Sequence, residues 1–99
     1  MKTAFIVLRS PQDVRPAHTV RRFAEPVDAS VILFEDGVYH AVQQAESAEL
    51  ASSAKEVLVC RDDFEARGLD AGELRVGRLA EYPDIVDCIM ERTDRTLTV

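Results

Sequence analysis

Val31-Ile32-Leu33-Phe34-Glu35-Asp36-Gly37 sets four strand-forming apolar residues in unbroken succession ahead of two carboxylates and a glycine. A continuous rather than alternating apolar run marks a strand buried on both faces, as in a parallel sheet lying between helices. The Asp-Gly that follows reads as the turn and N-cap entering a helix. Two more runs share this character, Ala4-Phe5-Ile6-Val7-Leu8 and Val57-Leu58-Val59-Cys60. The centres of the three, Ile6, Ile32 and Leu58, stand 26 residues apart each time. That spacing holds one strand, one helix and two short loops, which is the rhythm of successive βαβ units. No repeated sequence accompanies it, so it reflects unit length.

The segments between the runs have helical periodicity. Ala17, Val20, Phe23 and Ala24 form one stripe, with Asp13 as the expected N-cap and Pro26 as the stop. Val38, Ala41, Val42 and Ala45 form a second, and the tract Glu46 to Ala54 reads equally as helix or loop. A short charged helix is expected from Asp62 to Arg67, closed by Gly68 in the positive-φ position after its end. A fourth strand is expected between Glu73 and Ala80. Tyr82-Pro83-Asp84 then opens a helix with proline in its first turn, turning Ile85, Val86, Ile89 and Met90 inward. Thr96-Leu97-Thr98-Val99 alternates as a half-exposed edge strand does. The chain is thus expected to be a single-domain, three-layer α/β/α sandwich over residues 1–99, with a mainly parallel five-stranded sheet.

Ninety-nine residues fold with about 60–68% of the unfolded surface covered, leaving no room for separate substrate and cofactor domains. Hydrophobic residues make up 46% of the chain, too many for disorder. The net charge of −6 argues against direct nucleic-acid binding, which draws on clustered Lys and Arg. The apolar N-terminal run is far shorter than the roughly 20 residues of a membrane span and has no cleavage-site pattern behind it, so a cytoplasmic protein without membrane contact is expected. Two cysteines, Cys60 and Cys88, are too few for a disulfide framework and lack metal-site spacing, so neither a metal nor an organic cofactor is expected.

Reactive groups in an open parallel sheet gather at the carboxyl ends of the strands. Here those ends are Arg9-Ser10-Pro11, Glu35-Asp36-Gly37 and Cys60-Arg61-Asp62. None is a glycine-rich phosphate cradle, which removes dinucleotide and P-loop chemistry. Cys60 is the nucleophile among them. It stands where a strand meets a helix N-terminus, whose free N–H groups stabilise a thiolate, and Arg61 acts in the same sense as a thiolate stabiliser. Asp62 and Asp63 act against it. Cys88 projects roughly 130° from the apolar stripe of its helix at about 100° per residue, which predicts a partly exposed thiol without assigned chemistry. His18 and His40 fall on the polar sides of their helices, and His40 is a base for Cys60 only if its helix begins near the third strand's end.

Four blocks together resemble the small sulfur-relay proteins of the DsrE/DsrF/DsrH group, and within it the DsrH/TusB-like branch. Val31 to Val42 is similar to that branch's "LLFEDGIYAA" segment, Val57 to Leu69 to "VYVLxxDLxARGL", and Tyr82 to Asp87 to "YxxFVDL"; Leu8-Arg9-Ser10-Pro11 is similar to its first strand end. The resemblance implies a subunit of a sulfurtransferase-type complex that passes sulfane sulfur as a cysteine persulfide, towards tRNA wobble-uridine thiolation or sulfur metabolism. It implies DsrE/TusD-like and DsrF/TusC-like partner subunits in a hetero-oligomer, with Tyr39, Cys88 and the C-terminal strand as expected interface elements. In the catalytic branch the carrier cysteine ends the third strand eight residues before the glycine of an Arg-Gly, the separation of Cys60 and Gly68. Many TusB-like chains have leucine there and serve as non-carrying partners.

Two roles follow from the resemblance: a carrier using Cys60, and a structural or regulatory subunit in which Cys60 is only a strand-end residue. A third, independent of it, is a receiver-like binding domain using Glu35 and Asp36, although the tail beyond Thr93 offers only Arg95 where such domains place a lysine.

Overall fold

The computed structural model describes residues 1–99. Five strands, β1 (Thr3–Val7), β2 (Ala29–Leu33), β3 (Glu56–Cys60), β4 (Arg78–Ala80) and β5 (Arg95–Thr98), form one sheet in the order β4-β3-β2-β1-β5. Every pairing is parallel, so the expected α/β/α sandwich is realised with no antiparallel strand. The 26-residue rhythm is the register itself: Ile6 pairs with Ile32, and Ile32 with Leu58.

From β1 to β4 each strand is added on the same side of its predecessor, and right-handed crossovers then place the connecting helices on one face. These are α1 (Pro16–Phe23), a 3₁₀ helix at Glu35–Ala41, α2 (Gln44–Ser53) and α3 (Arg61–Ala66). They cover Phe5, Val7, Val31, Leu33, Val57 and Val59, forming the larger core with Val20, Leu50 and Phe64. The return from β4 across the sheet to β5 carries α4 (Tyr82–Asp87) and its π-helical continuation Cys88–Arg92 over the other face. There Ala4, Ile32, Leu58, Cys60 and Ala80 meet Ile85 and Cys88, with Ile6, Phe34 and Ile89 packed at the margin. One face therefore bears three α-helices and a 3₁₀ helix, and the other a single helix with its π-helical continuation.

Several local expectations are corrected. Asp13 does not cap α1; its amide bonds Ser10 O in a turn, and Arg15 occupies the N-cap without a side-chain bond. The cause is Pro16 at the first helical position, which holds Arg15 out of helical φ/ψ (−123°, 85°). The second apolar stripe is split. Val38 and Ala41 are buried on the 3₁₀ helix, where residues three apart eclipse, whereas extended Gln43 breaks the chain and leaves Ala45 exposed on α2. The undecided tract after Glu46 is helical to Ser53. The fourth strand is only three residues long, because an Asp70/Glu73 capping box folds Ala71–Glu73 into a 3₁₀ turn and Gly77 turns at φ 73°. The closure of α3 is as expected, with Gly68 at φ 71°.

The last helix departs furthest. Its buried line is Ile85 and Cys88 with Ile89 partly covered, while Val86 and Met90 are 54% and 70% exposed. Cys88 is fully buried, contrary to its expected exposure. Residues at i, i+3 and i+4 share a face, and Ile85–Cys88–Ile89 is the line that meets the sheet.

Candidate functional site: the Cys60 strand end

Cys60 is both the last residue of β3 and the N-cap of α3. Its partner in β4 is Ala80. Leu8 and Phe34, each one residue past the paired ends of β1 and β2, extend this row across the carboxyl end of the sheet. The thiol side of Cys60 faces the α4 layer, packed with Leu58, Ala80 and Ile85, and is 1% exposed. The Tyr82 phenol, 50% exposed, lies against the sulfur. Its pKa is raised above the ordinary value, first by its interaction with Cys60, then by desolvation, and last by the negative charges of Asp63 and Asp62. Tyr82 is a neighbour of Cys60 that chemistry-based reading missed, since proline at the next position marked it only as a helix opener.

Arg61 follows Cys60, but its guanidinium is engaged elsewhere. Arg61 Nε lies 2.7 Å from Glu81 Oε1, close enough for an ion pair yet out of hydrogen-bond line, and Nη1 is 3.5 Å from Glu65 Oε2. Of the two aspartates after it, Asp63 makes the contacts. Asp63 Oδ2 accepts from the Glu35 amide at 2.7 Å, pinning the one non-glycine residue with positive φ, Glu35 at 51°. Arg67 Nε donates to Asp36 Oδ1 at 2.9 Å and its Nη1 to the Asp63 carbonyl at 3.1 Å. The Phe34–Gly37 loop is thus tied to α3. Asp36 is occupied by this ion pair, and no group of three or more His, Cys, Asp or Glu side chains is placed to hold a metal.

His40 is not on a polar surface. It is buried, with Nε2 3.0 Å from the Arg9 carbonyl and Nδ1 without a partner. A carbonyl only accepts, so Nε2 carries the ring proton. Its neighbours include Pro16, Ala17, Glu46 and Leu50, on the α1–α2 side of the sheet, whereas Cys60 faces α4. His40 is therefore not the base for Cys60. Burial pushes its pKa below the ordinary value, outweighing the Arg9 bond and Glu46. A depressed native pKa means that the unfolded chain binds the proton first, so the contribution of His40 is intact above the unfolded value near 6.5 and fades as pH falls through the native one. The melting temperature of the wild type should fall more steeply from pH 7 to pH 5 than that of His40→Gln; equal slopes in calorimetry would show that His40 is not the titrating group.

Cys88 lies under the π-helical turn beside the amino ends of the strands. Its Sγ is 3.9 Å from Glu56 Oε2, which also accepts from Ser30 Oγ at 2.7 Å. The Arg92 pKa is raised, first by contact with the Cys88 sulfur and further by Glu56. This thiol is enclosed, so it is not an exposed interface residue. Tyr39 is half-buried, and β5 forms a sheet edge as expected.

Comparison with known proteins agrees with this fold. A family model described as "DsrH like protein" matches residues 9–94. The solution structure of protein Tm0979 from Thermotoga maritima is similar at 25% identity and TM-score 0.65, covering 86% of this chain and 87% of that one. The crystal structure of the ychN protein from E. coli shares the fold at 18% identity and TM-score 0.73, with both chains covered completely. No curated protein sequence matches the chain.

Proposed function

This chain belongs to the DsrH-like family, and from that premise we propose that it is a sulfur-relay subunit that carries sulfane sulfur as a persulfide on Cys60. The observation that carries the proposal is the position of this thiol: it ends β3 at the carboxyl edge of a parallel sheet, where ligands and reactive groups converge. In loading, the Cys60 thiolate attacks the terminal sulfur of a donor persulfide. A new S–S bond forms as the donor's S–S bond breaks, and the donor cysteine leaves as a thiol bearing the proton of the transferred sulfur. In unloading, the acceptor thiolate attacks the terminal sulfur of the Cys60 persulfide, and Cys60 departs as thiolate. Both steps depend on thiolate fraction and access. They need no metal or organic cofactor, and the acceptor stands on a path towards tRNA thiolation or sulfur metabolism. Arg61, displaced from its Glu81 and Glu65 contacts, would stabilise the thiolate.

Access is the condition that the fold imposes. A thiol 1% exposed and packed among Leu58, Ala80 and Ile85 exchanges only after this packing opens. The same burial favours a second reading, a non-carrying subunit that organises DsrE/TusD-like and DsrF/TusC-like partners. Incubation with a persulfide donor followed by intact mass measurement separates the two. Wild type and Cys88→Ser should each gain one sulfur atom, and Cys60→Ser none. An adduct that survives Cys60→Ser removes Cys60 from the carrier role, and no adduct on the wild type, together with stable co-purification with the partner subunits, establishes the second reading.

A further inference from the structure

Neither role of Cys60 uses His40. The ring is 1% exposed and its Nε2 is committed to the Arg9 carbonyl, so Nδ1 is the only polar atom it has left, a bare acceptor without a partner in the protein. Buried acceptors are normally satisfied, by protein or by ordered water. The ring lines a hollow of about 10 Å³ between α1 and α2, walled by Pro16, Ala17 and Leu50 and bordered by Glu46 and Glu49. A space of that size takes one water molecule and little else. The two carboxylates differ. Glu49 lies 3.6 Å from Arg15 and 4.0 Å from Arg21. Glu46 is half-buried, has no such partner, and is the carboxylate whose charge acts on the ring. An orphaned nitrogen and an unpaired carboxylate therefore border the same one-water space.

We propose that this hollow is a site for a single water molecule that donates one hydrogen to His40 Nδ1 and the other to the Glu46 carboxylate, and that the buried ring exchanges its proton with solvent through this bridge. The walls select the occupant. Nδ1 and Glu46 both accept and the rest of the lining is apolar or, at Glu49, engaged with arginine, so the guest must donate twice and carry no negative charge. A metal ion would need a third ligand that the side chains do not supply. Water meets both demands. Half-buried Glu46 also connects the hollow to the surface. When acid protonates its carboxyl group, that proton moves to the water as the water gives one of its own to Nδ1. Glu46 returns to a carboxylate, the water is restored, and His40 becomes an imidazolium donating from both nitrogens. The cation then faces Glu46 and Glu49 from α2. Arg15 and Arg21 on the α1 side are drawn to Glu49, His18 of α1 is exposed, and Arg9 meets the ring through its carbonyl. On the 3₁₀ helix itself Asp36 is held by Arg67 and Glu35 is exposed. The inference stands whichever role Cys60 has.

Nitrogen NMR of the imidazole rings in the isotopically labelled full chain tests this, with exposed His18 as the internal control. At neutral pH His40 Nδ1 should resonate as a hydrogen-bonded acceptor, upfield of a bare pyridine-type nitrogen, and the adjacent ring proton should show a cross-peak to a long-lived water. Glu46→Gln keeps the size of the side chain and removes its charge and its proton. It should move the His40 titration to lower pH and slow proton exchange at the ring, read from line broadening near the midpoint, by about tenfold or more. Glu49→Gln should change both less, and neither variant should alter the titration of His18. A bare-nitrogen shift for Nδ1 with no water cross-peak overturns the proposal. So does a titration and exchange rate that the two variants change equally, because Glu46 would then act only as one more distant charge.

Discussion

Gly37→Ala is expected to destabilise the protein by about 2–3 kcal/mol, at the upper end for overpacking a closed site. A loss of that size lowers Tm by roughly 10–20 °C in a domain of about 100 residues. Gly37 is buried in the 3₁₀ turn after β2, and a Cβ there would overlap the Val7 carbonyl oxygen and approach Val7 C within 2.9 Å. Val7 O already accepts from the Phe34 amide at 2.9 Å, so the obstacle is backbone, which cannot rotate away as a side chain can. The Glu35–Gly37 loop would have to lift, straining the Asp63 bond to the Glu35 amide and the Asp36–Arg67 pair. Gly72→Ala is the control, since a Cβ there meets only Asp70 Oδ2 at 3.8 Å. Thermal melts of the two variants decide the matter, and equal Tm values would show that the loop moves freely.

Phe64→Ala should cost about 3–5 kcal/mol, the usual range for emptying a fully buried aromatic site, a large share of the 5–15 kcal/mol that holds a typical domain together. Phe64 is the only buried residue of α3. Six residues are too few for a helix to persist on its own hydrogen bonds, so α3 owes its place mainly to this ring packed in the larger core. Because Cys60 is the N-cap of α3, loss of the ring should loosen the strand end as well as lower Tm. Alkylation of Cys60 by iodoacetamide, read in a Cys88→Ser background, should accelerate in Phe64→Ala. An unchanged rate would mean that the Asp63 and Arg67 links to the Glu35–Asp36 loop hold α3 without its aromatic anchor.

The fold was legible where local pattern and burial agree. The three apolar runs needed no partner to be read as central strands, and their common spacing turned out to be the pairing register. Cys60 could be placed at a strand end for the same reason. Residues whose state depends on what crosses above them were not legible. His40 lies on a 3₁₀ helix, so an angle counted at 100° per residue misplaces it; the ring turns inward to the Arg9 carbonyl, a contact 31 residues away. Cys88 was misassigned because Val86 and Met90 were counted with the core. Their apolar character belongs to a face this chain leaves uncovered, and hydrophobicity alone does not distinguish a core from an interface. Tyr82 was visible as the first residue of a helix, but its contact with Cys60 depends on β4 pairing beside β3, which a three-residue strand hardly announces.

The sheet order also sets a sequence of events in time. The β1–β2 and β2–β3 pairings join residues 26 apart, whereas β5 must return across the sheet to β1 and join residues 92 apart, as in Thr3 with Arg95. Closing the longer loop costs about 1 kcal/mol more in chain entropy, and the β5 strand pays it for a half-exposed edge. Nucleation thus belongs to the β1–β2–β3 ladder, which carries Cys60 at its end, and β5 docks last. Unfolding is expected to run the other way, with the half-exposed β5 edge losing its pairing to β1 before the central β1–β2–β3 ladder opens.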